Sequence, residues 1–284
     1  MHKLLERLQQ EQGKYPPAQR AVASYIVEHF REIPFLTISD IAERIGYSET
    51  TISKFCDTLG YSGFSSLKKQ IAEFVNSEIT INKKLERTTQ DVKSNKIFDD
   101  ILADDVASIT ATLQSAANQE NVNKLLGMMD KAQHIYVLGT RMSSFLADLL
   151  VFKLRQQGLA TTALASDRGD VIDQMLLIRP DDLVIVFSFF RYTRSTIEQI
   201  KFLHKRGIPI ALITDEKLSP AYEYATTVLK CALNTETYIV SYASCISLIS
   251  AILTANALKH KKAMTEHTKE LEQYYSEYHT YYGY

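Results

Sequence analysis

The sequence predicts an all-α N-terminal domain joined to an α/β domain with a five-stranded parallel sheet flanked by helices. Three observations carry this. Up to about residue 134, apolar residues recur only at helical spacing and no strand pattern occurs. From His134 onward, short apolar β runs alternate with helical stretches. The 284 residues leave room for two domains and an ample core.

The helical part opens with "PPAQRAVASYIVEHF", where Pro16 and Pro17 mark a helix start and Val22, Ile26 and Phe30 share one face. Residues 38–57 then carry a helix-turn-helix pattern. Ile38, Ile41 and Ile45 face inward from the first helix, and Ile52 and Phe55 return to the core from the second. Ala42 is small where the two helices approach, and Gly46 permits the left-handed turn between them. Thr37 and Asp40 are spaced for a capping box. The domains expected are residues 1–78, a linker and connecting helix at 79–120, and an α/β domain at 121–284 with a long C-terminal helix.

Composition narrows the partners. The net charge of −1 shows no global basic balance. Cys56, Cys231 and Cys245 have no metal-like spacing and suit a reducing compartment, so no metal and no cofactor are expected. The first residues, "MHKLLERLQQEQGKY", lack a signal-peptide core, and the apolar runs break well short of a membrane span. The expectation is a cytoplasmic protein with no membrane partner.

On the second helix of the motif, Ser48, Glu49, Thr50, Thr51, Ser53 and Lys54 point outward. Short hydroxyl side chains at a helix N-terminus suit phosphates and base edges, and Lys54 suits a phosphate. The following stretch, "YSGFSSLKK", adds Ser62 at a helix start and Lys68 one turn later. Between Thr37 and Val75 four Lys/Arg face five Asp/Glu, which leaves a pure interaction module as the alternative to a reader of double-stranded DNA.

In the α/β part, three strand ends converge on one crevice, where ligands of open parallel sheets bind. "YVLGTRMSSFLA" supplies Ser143 and Ser144. "FSFFRYTRST" supplies Ser188, Arg191, Thr193, Ser195 and Thr196, and "ITDEKLSPA" brings Thr214 and Asp215 to the same edge. Hydroxyls at helix N-termini favour a small anionic ligand. In "LEQYYSEYHTYYGY", Tyr274, Tyr278 and Tyr281 recur at helical steps, which suits core packing or a subunit seam.

The stretch "TISDIAERIGYSETTISKFCDTLGYSGFSSLKKQI" resembles the helix-turn-helix of the RpiR family of bacterial transcription regulators. The region from about Leu125 to Leu258 resembles that family's sugar isomerase (SIS) domain. The resemblance implies a regulator that senses a phosphorylated sugar or related metabolite and assembles as a homodimer or homotetramer through its SIS domains. The SIS pattern Ser-x-Ser-Gly-x-Thr here runs Ser188, Phe189, Phe190, Arg191, Tyr192, Thr193, and a glycine of the first turn is Arg141. The effector set expected is therefore Arg141, Ser143, Ser144, Ser188, Arg191 and Thr193, with the two arginines offering charge and a planar donor fork. The rival class is a SIS-type sugar-phosphate isomerase with an accessory helical domain. It needs a general base, for which Glu198, His204 and Glu236 are candidates. Fusion to a DNA reader favours binding without turnover.

Overall fold

The computed structural model describes the chain apart from residues 1–2, 31, 79, 81, 87–95, 166–170, 216–218, 235–237 and 283–284. The described residues divide into two compact units, one formed by residues 1–93 with Tyr238 and the other by Ser94–Thr235 with Ile239–Tyr284.

The first unit contains α1 (Lys3–Glu11), α2 (Pro17–Glu28), α3 (Ile38–Ile45), α4 (Glu49–Thr58) and α5 (Phe64–Glu78). The capping box at the start of α3 forms: Thr37 Oγ1 accepts the Asp40 N–H at 3.1 Å, and Asp40 Oδ2 accepts the Thr37 N–H at 2.6 Å. Gly46 closes α3 with φ +71°, a conformation that only glycine adopts freely, and so turns the chain into α4. Helix α4 packs on both α2 and α3. Ile26, Ile41, Ile52, Phe55, Leu67 and Ile71 are fully buried there, each contributing about 1.5–3 kcal/mol relative to exposure. Ile38 and Ile45 are only half-buried, at the margin of that core.

The second unit runs α6 (Ile97–Leu113), α7 (Asn118–Lys131), β1 (Ile135–Gly139), α8 (Met142–Gln156), β2 (Thr161–Ala165), α9 (Val171–Leu177), β3 (Leu183–Phe187), α10 (Arg194–Lys205), β4 (Ile210–Thr214), β5 (Thr227–Lys230), α11 (Ala243–Lys259) and α12 (Lys261–Glu277). The helix expected as a connector, α6, packs against α11 and counts with this unit. The five strands are all parallel in the order β2-β1-β3-β4-β5. Both faces are covered, which is why the strands read as continuous apolar runs. Val137, Ile185, Phe187 and Ile213 meet α7, α8 and α11 on one face. Val184, Val186, Ile210 and Leu212 meet α9 and α10 on the other.

The strand order reverses at β1, which has β2 on one side and β3 on the other. The crevice of this fold therefore opens between the carboxyl ends of β1 and β3.

The single long C-terminal helix expected from the sequence is two helices. The chain leaves helical geometry at His260, whose ring bonds Asp130 Oδ1 at 2.8 Å while the neighbouring Lys259 ammonium reaches the same carboxylate. Beyond this elbow, α12 lays Met264, His267, Leu271 and Tyr275 half-buried along one side. Tyr274, Tyr278 and Tyr281 stay largely exposed, so they are not core residues, and the helix stops before the last two. No described helix is long and apolar enough to cross a membrane.

Candidate functional site

Two glycine-related features shape the β1 end of the crevice. A Cβ on Gly139 would lie 2.1 Å from the Ser143 carbonyl oxygen, so only glycine lets the strand end meet the first turn of α8. Arg141, just before α8, has φ +55° and ψ −126°, a region that disfavours any side chain. The hydroxyl of Thr140 joins those of Thr193 and Thr196 at 2.9 and 3.0 Å, and those two are 2.6 Å apart. This triangle ties the β1 end to the start of α10.

The β3 end is organised from β4. Thr214 donates its hydroxyl to the Ser188 carbonyl at 2.6 Å. The buried carboxylate of Asp215 accepts the Phe190 N–H at 3.1 Å and the Tyr192 hydroxyl at 2.6 Å. The aromatic turn that replaces the expected serine and glycine is thus held from below, and Arg191 is left at its tip.

Between these ends lies a cavity of about 160 Å³. Thr140, Ser143, Ser188 and Thr193 line it with Arg141 and Arg191 at its rim, and Tyr242 closes one side. Both arginines are exposed, and among the described residues no carboxylate pairs with either. The amino ends of α8 and α10 flank the same space and add partial positive charge. Burial, more than the nearby Cys245 and Asp215, pushes the Tyr242 phenol up. Its ring stands edge-on to Phe189, with centroids 5.8 Å apart.

The reader surface is built on α4. Ser48 is its N-cap, accepting the Thr51 N–H at 3.3 Å and sharing a hydroxyl contact with Thr51 at 3.0 Å. The Glu49 carboxylate takes the Ser39 hydroxyl and so fastens α4 to α3. Thr50 and Lys54 are exposed, and Ser53 is half-buried.

Two family models match the chain. The helix-turn-helix domain of the rpiR family covers residues 2–78, and the SIS domain covers residues 128–261. The chain belongs to the RpiR family. An HTH-type transcriptional regulator of Haemophilus influenzae is 26% identical over 225 residues, covering 75% of this chain and 74% of its own. The regulator HexR of Pseudomonas aeruginosa is 25% identical over 227 residues, with coverage of 75% and 74%. Among solved structures, the Vibrio vulnificus NanR protein complexed with ManNAc-6P aligns over 96% of this chain and 98% of its own, at 21% identity and a TM-score of 0.63. The sugar isomerase domain of an RpiR transcription factor from Sphaerobacter thermophilus covers 63% of this chain and 99% of its own, at 24% identity and a TM-score of 0.59. Both share the fold.

Of the six effector residues expected in this RpiR-family chain, Arg141, Ser143, Ser188, Arg191 and Thr193 line one cavity. Ser144 does not. Its hydroxyl turns back to the Arg141 carbonyl at 2.6 Å and closes the first turn of α8. Thr140, Thr196 and Tyr242 have larger parts than their sequence positions suggested. The signal for Thr140 is its place directly after the strand-ending glycine, but Tyr242 lies far along the chain and has no local mark. On the reader side Lys68 is a correction. Its ammonium donates to the Leu36 carbonyl at 2.8 Å and burial pulls its pKa down, so it braces α5 against the chain before α3. Ser62 is exposed ahead of α5.

Glu198 sits beside Lys201 at 3.3 Å, and the His204 ring bonds the Tyr224 carbonyl at 3.1 Å. Neither lines the cavity. Glu236 lies outside the described residues.

Proposed function

We propose that this RpiR-family chain is a DNA-binding transcriptional regulator whose SIS domain senses a small anionic metabolite, a sugar phosphate, and couples it to operator binding. One observation carries the effector half of this reading. The cavity at the β1/β3 switch point is ringed by hydroxyls and rimmed by two exposed arginines, a donor set matched to a phosphate. Residues 1–78 read double-stranded DNA through Thr50, Thr51, Ser53 and Lys54, with Ser48 and Glu49 fixing that helix and Ser62 at the next helix start. Residues 121–284 bind the effector, and the chain from residue 79 leads from the reader into α6, the first helix of the effector-binding unit. Because one reader recognises one half-site, the chain works as a homo-oligomer in the cytoplasm, where its operator lies. The effector biases two arrangements of the paired readers.

Binding without turnover is the preferred reading of the sensor. Isomerisation needs a base within reach of the substrate carbon, and among the described residues lining the cavity none is a carboxylate or an imidazole. The test is calorimetric titration of the full chain with a panel of sugar phosphates, followed by chromatography of the recovered ligand. Saturable binding with the ligand recovered unchanged is the expected result. Conversion of the ligand to an isomer would replace the sensor with an enzyme.

A further inference from the structure

A second cavity, of about 420 Å³ against about 160 Å³ for the effector cavity, opens at the other end of the sheet. Ala132 leads into β1 and Leu159 into β2, so it lies at the amino ends of these strands, away from the switch-point crevice. Its walls are the carboxyl ends of α7, α8 and α11 and the first two turns of α12. Met129, Ala132, Leu159 and Met264 give it an apolar side. Gly158, at φ +77°, lets the half-buried His267 ring lie against the backbone, 3.4 Å from where a Cβ would stand.

One polar side chain in this cavity is incompletely satisfied. Asn256 lines it from α11 and is only 3% exposed. A chain of bonds fixes its orientation. The Gln157 amide donates to the Leu253 carbonyl at 2.9 Å, which turns Gln157 Oε1 toward Asn256, and the Asn256 amide donates to that oxygen at 2.8 Å. The Leu253 carbonyl can only accept, so neither carboxamide can be turned over. Asn256 Oδ1 is left with no hydrogen bond among the described residues. An unmet acceptor on a buried side chain costs about 1–3 kcal/mol, so the site suits a ligand that brings a donor.

The start of α12 offers the complement. Its N-cap, His260, makes no side-chain cap, and the first bond of the helix runs from the Met264 N–H to the His260 carbonyl at 3.0 Å. Among the described residues the N–H groups of Lys261, Lys262 and Ala263 have no acceptor, and they carry the partial positive charge of the helix end. The three carboxyl ends across the cavity carry partial negative charge. Asp130 is already engaged, Oδ1 by the His260 ring and Oδ2 by the Lys259 ammonium. The cavity thus combines a donor end, an acceptor end and an apolar side.

We propose that this cavity binds a free apolar α-amino acid. The carboxylate sits on the amino end of α12, the ammonium donates to Asn256 Oδ1, and the side chain lies among Met129, Leu159 and Met264. Opposite charges two bonds apart on one small molecule match the opposed helix ends. A sugar phosphate does not suit this cavity, since no arginine lines it and no hydroxyl side chain is present. The site gives the chain a second input, chemically distinct from the effector, and shares no residue with the effector cavity.

Calorimetric titration of the full-length chain, without DNA or sugar phosphate, tests it with L-leucine, L-isoleucine, L-methionine and L-phenylalanine. Saturable binding of at least one is expected. The best binder is then compared with its two truncated forms. For leucine these are 4-methylpentanoate, which lacks the ammonium, and 3-methylbutylamine, which lacks the carboxylate, and each should bind at least about tenfold more weakly. Asn256→Leu should lose the binding while far-UV dichroism stays that of the wild type. Ala263→Trp, at an exposed position bordering the cavity, should lose it by occupying the space, and it decides the matter if Asn256→Leu does not fold. Absence of binding by all four amino acids overturns the proposal. So does a truncated form that binds as well as its parent, or wild-type affinity in either folded variant. The sugar-phosphate titration reads a different cavity, so failure here leaves the sensor reading untouched.

Discussion

The Tyr192 hydroxyl donates to the buried carboxylate of Asp215 at 2.6 Å, one of the bonds that join the turn after β3 to the end of β4. Asp215 also receives the Phe190 N–H, so the carboxylate holds the turn on both sides of Arg191. Hydrogen bonds to a charged group contribute about 1.5–3 kcal/mol. Tyr192→Phe should lower the thermal midpoint modestly and weaken effector binding by about tenfold, because the arginine is no longer aimed. Scanning calorimetry and ligand titration of the variant check this. Unchanged effector affinity would show that Arg191 needs no such support.

Gly139→Ala forces a methyl into the space occupied by the Ser143 carbonyl. Overpacking of this kind costs about 1–3 kcal/mol, and here it also displaces the first turn of α8 from the cavity. Chemical denaturation should show the loss, and effector binding should fall with it. A variant as stable as the wild type would mean that the strand end can move aside.

The two rim arginines should separate stability from binding. Arg141 holds a backbone conformation that costs about 1–3 kcal/mol for a residue with a side chain. Arg141→Gly should therefore raise stability while weakening effector binding. Arg191→Ala should retain operator affinity and lose about tenfold to a hundredfold in effector affinity. If Arg141→Gly is less stable and binds the effector normally, Arg141 is a packing residue.

On the reader, Thr50→Ala with Lys54→Ala should leave the fold intact, because both side chains are exposed. Operator binding should drop sharply. Lys54→Ala alone should weaken all DNA sequences alike and reduce the dependence of affinity on salt by about one phosphate. Thr51 is a poorer target, since its change would also disturb the Ser48 cap. Fluorescence anisotropy across a salt series measures both effects.

The capping box gives a pH dependence whose sign follows from its bonds. Hydrogen bonds from Thr37 hold the Asp40 carboxyl below the usual carboxylate range. A group whose pKa is lower in the folded state stabilises the fold above its unfolded pKa, about 3.9, and loses that contribution as pH falls through the folded pKa. Asp40→Asn should therefore be less stable than the wild type at neutral pH, with the difference shrinking below about pH 4. Thermal midpoints at several pH values decide it. A difference that does not narrow in acid would assign the loss to something other than this carboxylate.

The sequence by itself determined the parallel-sheet strands and the helix-turn-helix. Apolar runs such as "LVIVF" have no polar face and fit only a strand covered on both sides, and the Ala42, Gly46 and Ile52 spacing defines a helix-turn-helix through contacts a few residues apart. Arg141 and Arg191 were legible because each stands where the resemblance expects a small residue. Only the tertiary structure decided which hydroxyls share the cavity, because Thr140, Thr193 and Tyr242 come together across strands distant in the chain. It also decided that Ser144 and Lys68 turn to backbone carbonyls, since a side chain's partner depends on what the fold brings within 3 Å of it. The outward apolar face of α6, from Phe98 to Leu113, was hidden for the same reason. Periodicity reveals that a helix has an apolar stripe, and only packing shows which way that stripe points.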